Sequence, residues 1–131
     1  MDAESMTVPA LKALFDAAYL ETSIDSDGDL VIKDGYRCFL RPDPDGRLLA
    51  ACSIFGAKDG ASPAAKLEYV NRVNDQVKLI RASVMKDGRY FFDYYVPIEG
   101  GITKKATVLA VRRFLSCLAS AMAQDTDNVV S

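Results

Sequence analysis

VKLIRASVMKDGRYFFDYYVPI, residues 77–98, decides the fold. Two strand-like runs flank Lys86-Asp87-Gly88, and the second holds the densest aromatic group of the chain: Tyr90, Phe91, Phe92, Tyr94 and Tyr95. β-branched and aromatic side chains suit a pleated, half-buried surface, so the stretch reads as a hairpin forming the central wall of the fold. A two-residue turn at Asp87-Gly88 would set Ala82 opposite Asp93 and Arg81 opposite Tyr94, mixing charge into apolar faces. A three-residue loop, Lys86-Asp87-Gly88, shifts the register by one. Arg81 then faces Asp93, and one face collects Ile80, Ala82, Val84, Tyr90, Phe92, Tyr94 and Val96. The cross-strand ion pair adds a few tenths of a kcal/mol up to about 1. Burying that apolar face adds far more, at roughly 25 cal/mol per Å². Both terms favour the three-residue loop, with Gly88 at positive φ. The opposite face keeps Phe91 and Tyr95 beside Arg81, Ser83 and Asp93, an amphipathic surface suited to a subunit or partner.

Helical patterns lie on either side. Upstream, Ser62 caps a helix with Pro63 in its first turn. Leu67, Val70 and Val73 continue it to about Asp75, with Tyr69 on its exposed side. Asn71 and Asn74 read as residues that close the helix through backbone bonds. Downstream, Glu99-Gly-Gly101 releases the chain and Thr103 caps a helix running to about Gln124. Its main stripe is Val108, Val111, Leu115, Leu118 and Met122, widened by Leu109, Phe114, Cys117 and Ala121. Lys104, Lys105, Arg112 and Arg113 form the charged side. Apolar residues over more than half the circumference predict burial on two sides.

The N-terminal half is built more simply. Thr7 caps a helix over about 7–20, with Val8, Leu11, Phe15, Ala18 and Tyr19 at helical spacing. Asp25-Ser-Asp-Gly-Asp29 has the look of a calcium loop, but its glycine is misplaced and no glutamate closes it, so it reads as a turn. Leu30–Lys33 and Tyr36–Arg41 pair across Asp34-Gly35, a strong hairpin signal. A three-residue loop, Pro44-Asp45-Gly46, would set Asp43 opposite Arg47 and Cys38 opposite Cys52. That register places Cys38, Leu40, Leu48, Ala50, Cys52 and Ile54 on the core face, with the cysteines acting as small hydrophobes. The predicted architecture is a single α+β domain of order α-β-β-β-α-β-β-α, three helices on a five-stranded antiparallel sheet. Residues 1–6 and 125–131 are expected to be disordered.

Composition narrows function by exclusion. The chain has 131 residues and a net charge of −2, so it carries no whole-chain electrostatic footprint for nucleic acid. Residues 1–60 hold 11 acids and 6 bases, residues 61–131 hold 7 acids and 10 bases. Three cysteines without framework spacing suggest a reducing compartment. No basic, apolar leader and no long uninterrupted apolar run is present, so a soluble cytoplasmic protein without membrane attachment is expected. Histidine is absent, C-x-x-C is absent and no Gly-x-Ser-x-Gly elbow occurs. An enzyme, a metal site and a cofactor are therefore not expected. The one alternative ligand site is an anion corner, Gly100 and Gly101 ahead of a helix that begins with Lys104 and Lys105.

The stretch LEYVNRVNDQVKLIRASVMKDGRYFFDYYVPIEGGITKKATVLAVRRFL resembles the YbjN family of small bacterial proteins. Asn71-x-x-Asn74, the Lys86-Asp87-Gly88 hairpin and Pro97-x-x-Gly-Gly-x-Thr103 carry the resemblance, which extends over about residues 7–124. It implies a fold similar to type III secretion chaperones, and a family label of "putative sensory transduction regulator" with no established catalytic residues. Chaperone-like relatives bind unfolded segments of partner proteins and are often dimers. The expected activity is thus non-enzymatic binding of another protein, or of a second copy as a homodimer, with Tyr69, Phe91 and Tyr95 as candidate contacts.

Overall fold

In the computed structural model, which describes residue 2 and residues 5–131, the hairpin has the register its sequence favours. Arg81–Val84 (β5) pairs antiparallel with Tyr90–Pro97 (β6), with Arg81 opposite Asp93 and Val84 opposite Tyr90. Met85 N–H donates to Arg89 O at 2.7 Å, closing the three-residue loop, and Gly88 takes φ 90°. A side chain at Gly88 would also meet Lys66 Nζ, which donates to the Gly88 carbonyl at 3.1 Å.

The remaining elements are Val8–Ala17 (α1), Glu21–Ile24 (β1), Leu30–Asp34 (β2), Tyr36–Pro42 (β3), Leu48–Phe55 (β4), Pro63–Gln76 (α2) and Lys104–Ala123 (α3). Thr7, Ser62 and Thr103 cap the three helices, each side chain accepting the N–H three residues on. The sheet has six strands in the order β1-β2-β3-β4-β6-β5, all neighbours antiparallel. The sixth strand, β1, corrects the expected five. Its sequence, Glu-Thr-Ser-Ile, shows no apolar alternation because this short edge strand buries almost nothing.

A second correction concerns β4. Asp43 N–H donates to Leu48 O at 2.9 Å, so the loop spans Pro44–Arg47 and Phe39, not Cys38, faces Cys52. The one-residue shift turns Leu49 and Ala51 inward with Cys38 and Leu40, and sends Leu48, Ala50, Cys52 and Ile54 to the other face. The energetic reason is Leu49, 1% exposed in the core. Ala50 and Cys52 are also buried, because they occupy the middle of the sheet.

All three helices pack on one face, and one continuous core joins Leu11 and Phe15 of α1, Tyr69 and Val73 of α2, and Val111, Phe114 and Leu118 of α3 to the inward strand residues. By length and composition α3 could cross a membrane. Here its apolar stripe is built into this core. At the far edge, Asn74 grips β5: its amide donates to Ala82 O at 3.1 Å and accepts Ala82 N–H at 2.8 Å. Asn74 therefore ties a helix to an edge strand instead of closing its own helix, and it occupies backbone groups that would otherwise template another strand. Asn74→Ala is expected to cost about 1–2 kcal/mol in urea unfolding by losing both bonds.

The tail overturns the expectation of disorder. Asp125 accepts the N–H groups of Val129 and Val130 at 2.7 and 3.1 Å. Val130 bridges to Ala57, and both Tyr90 Oη and Lys58 N–H donate to Val129 O at 2.9 Å. The two valines are buried in the core. At the other end, residues 1, 3 and 4 of the segment expected to fray lie outside the described residues, while Met6 is buried.

Candidate functional site

Among the described residues, no helix covers the other face of the sheet. Strand alternation projects Val31, Phe39, Ile54, Phe91 and Tyr95 onto it, with Arg37, Arg41, Arg81, Asp29 and Asp93 between them. Ile54 and Tyr95 are exposed, and Val31, Phe39 and Phe91 are half-buried. A shallow concavity of 380 Å³ opens on this face beside Val31, Arg37, Phe39 and Ile54.

Two arginine clamps order the face. Arg81 grips Asp93 with both arms, Nε at 3.0 Å and Nη2 at 2.7 Å, and its guanidinium carbon lies 5.7 Å from the Tyr95 ring centre. Asp93 is only 2% exposed, whereas the Arg81 side chain is 71% exposed. Arg41 repeats the arrangement with Asp29 and lies 5.6 Å from the Phe39 ring centre. Planar guanidinium groups suit both bidentate pairing and aromatic stacking. The result is a surface of aromatic faces and fixed cations whose rotamers are already restricted before anything binds.

The Arg41–Asp29 pair gives a pH signature. Hydrogen bonding to Arg41 holds the Asp29 carboxyl below its usual value of 3.8, and Lys12, then Thr22, lowers Asp16 likewise. A depressed folded-state value contributes stability that is present above the unfolded value and lost as pH falls through the folded one. Denaturant unfolding is expected to show a fall in stability between pH 5 and pH 2. Asp29→Asn should make that fall smaller.

Of the three candidate contacts, Phe91 and Tyr95 lie on this face as the register requires. Tyr69 does not. It is fully buried, its hydroxyl donates to Ala121 O at 2.9 Å, and its ring meets Tyr90 edge-on at 5.3 Å between centres. The helical spacing Tyr69, Val70, Val73 is the inward stripe of α2, and Leu67, at 59% exposed, takes the outer side.

The anion corner is partly consumed by its own fold. Gly101 N–H donates to Ile98 O and Ala106 N–H to the Thr103 hydroxyl, each at 3.0 Å. Asp25, Asp27 and Asp29 bring carboxylate oxygens within 4.8 Å of one another. Asp25 is used, however, in accepting the N–H groups of Asp27 and Asp29, and Arg41 neutralises Asp29. Cys38, Cys52 and Cys117 are free and buried. Burial, with Cys52 nearby, pushes the Cys38 thiol up to about 12, and burial then Asp93 pushes Cys52 up to about 11, so neither is an activated nucleophile. The two lie on opposite faces of the sheet.

Two apolar residues stand exposed, and the first corrects the helical stripe expected over 7–20, because α1 stops at Ala17. Tyr19 (φ 65°, 96% exposed) ends α1 in the left-handed position glycine usually fills, and Leu79 (φ 73°, 57% exposed) precedes β5. Neither conformation has a composition signal, since glycine is what would announce it.

No curated protein sequence matches the chain. Several solved structures share its fold, three of them as follows. YbjN from E. coli, described as "a putative transcription regulator", has a TM-score of 0.77 at 8% identity, over 95% of this chain and 96% of that one. An uncharacterized protein from Methanothermobacter thermautotrophicus has a TM-score of 0.59 at 10% identity, over 87% and 92%. The Yersinia pestis type III secretion chaperone SycH, solved with a stable fragment of YscM2, has a TM-score of 0.56 at 16% identity, over 90% and 98%. The α+β fold is therefore that of YbjN and of a secretion chaperone, with six strands. A family profile described as "Putative bacterial sensory transduction regulator" matches residues 7–128, and the chain belongs to that family, YbjN.

Proposed function

We propose that this chain is a non-enzymatic adaptor or chaperone-like regulator whose bare sheet face binds another protein. The observation that carries the reading is the pair of arginine clamps holding aromatic residues on a face no helix covers. Arginine and aromatic side chains dominate binding energy at protein interfaces. Clamped in advance, they lose less freedom on association than mobile side chains would. SycH supplies a precedent of fold, being solved with a protein fragment. A second copy of this chain is the other occupant that suits such a face, as a homodimer. The setting inferred is the cytoplasm, where three free thiols stay reduced.

Affinity capture from bacterial lysate is the first test, comparing the chain with its Phe91→Ser, Tyr95→Ser variant. A partner retained by the first and reduced at least about tenfold by the second is expected, with thermal unfolding little changed. Equal recovery by both would count against the face. The rival ligand reading makes a different forecast: nucleotides or phosphometabolites would raise the melting temperature by several degrees, and Lys104→Ala with Lys105→Ala would abolish the shift.

A further inference from the structure

On the helix side of the molecule, α1 and α3 leave an apolar groove that the sheet face does not share. Two concavities of 430 and 390 Å³ have Leu14, Ala17 and Lys104 in common, so they form one channel along the helices. The α1 wall is Ala10, Ala13, Leu14 and Ala17, spaced by three and four, beside the inward stripe of Leu11 and Phe15. From α3 come Val108 and Leu109, the latter 52% exposed. Alanines on one wall let another backbone approach closely, and Leu109 stands ready to interdigitate with it.

Charge selects the occupant. Among the described residues, every charged one lining the channel is a cation: Lys104, Lys105 and Arg112. None of the three forms an ion pair among the described residues. The acid of α1 that might have balanced them, Asp16, is bonded to Lys12 and Thr22. We infer that the groove binds an amphipathic helix of another protein, with apolar residues every three and four positions and carboxylates along its flanks. A concave channel between two helices matches a third helix laid along it. A second copy presenting this same groove would bring cations against cations, which opposes self-association here. A bilayer surface is flatter than the channel.

A displayed library of helical peptides, selected on the full chain and counter-selected on Leu109→Asp, tests this. Enriched peptides are expected to combine an i, i+4 apolar stripe with acidic flanks. Binding of a representative peptide should fall at least about tenfold on Leu109→Asp and about fivefold on Lys104→Glu with Lys105→Glu. It should be unchanged by Phe91→Ser with Tyr95→Ser, which separates this groove from the sheet face. No enrichment, or enrichment of basic or extended peptides, would overturn the inference. So would phosphatidylserine vesicles binding the chain through Leu109, or a sedimenting dimer that Leu109→Asp dissociates.

Discussion

Tyr69→Ala is expected to destabilise the protein by about 3–5 kcal/mol, the range for removing a buried aromatic from a core. The side chain is fully buried, packs edge-on against Tyr90 and donates to the Ala121 carbonyl of α3. Its loss opens a cavity between two helices and the hairpin, and leaves that carbonyl with only the Gln124 N–H, at 3.1 Å, as a donor. Tyr69→Phe separates the two effects: keeping the ring and losing the hydroxyl should cost about 1–2 kcal/mol. Burial also raises the tyrosine's ionisation well above the ordinary phenol value. Denaturant unfolding of both variants measures the costs, and a change under about 0.5 kcal/mol in Tyr69→Ala would place the side chain on the surface instead.

Ending the chain after Gln124 is the second large perturbation, with an expected cost of about 3 kcal/mol. Two buried valines contribute roughly 1.5–3 kcal/mol each, partly offset by the freedom the released segment regains. The Tyr90 hydroxyl and the Lys58 amide also lose the Val129 carbonyl. Asp125→Ala should reproduce part of the loss, about 1–2 kcal/mol, because its carboxylate holds both valine amides. A truncated chain that unfolds at the same denaturant concentration would mean the tail contributes nothing.

The hairpin was legible because three independent signals agreed on it: pattern, turn chemistry and one cross-strand charge pair. Helix starts were equally clear, each marked by Thr7, Ser62 or Thr103. The β3–β4 register was not, since Leu48-Leu49-Ala50-Ala51 is apolar on both faces and alternation cannot choose between them. Only the longer loop, visible in the Asp43–Leu48 bond, settles which leucine turns inward. Tyr69 went astray for a related reason. A tyrosine beside Glu68 reads as amphipathic surface until the distant Ala121 carbonyl supplies its partner. Asp125 likewise looked like a polar tail residue, because its partners are backbone amides that no sequence pattern displays. Of the candidate site, Phe91 and Tyr95 followed from register alone. The Arg81–Asp93 pair followed from the same register, whereas the Arg41 clamp required the fold, which brings Asp29 to Arg41 across a hairpin.

On the proposed reading, a protein partner sits on the bare sheet face. A photo-crosslinking residue placed at Phe91 tests it directly, with the same residue at exposed Glu68 on α2 as control. In living bacteria, a discrete crosslinked partner, or a crosslinked second copy, is expected from position 91 and none from position 68. Crosslinking at 91 that does not exceed the level at 68 would contradict it.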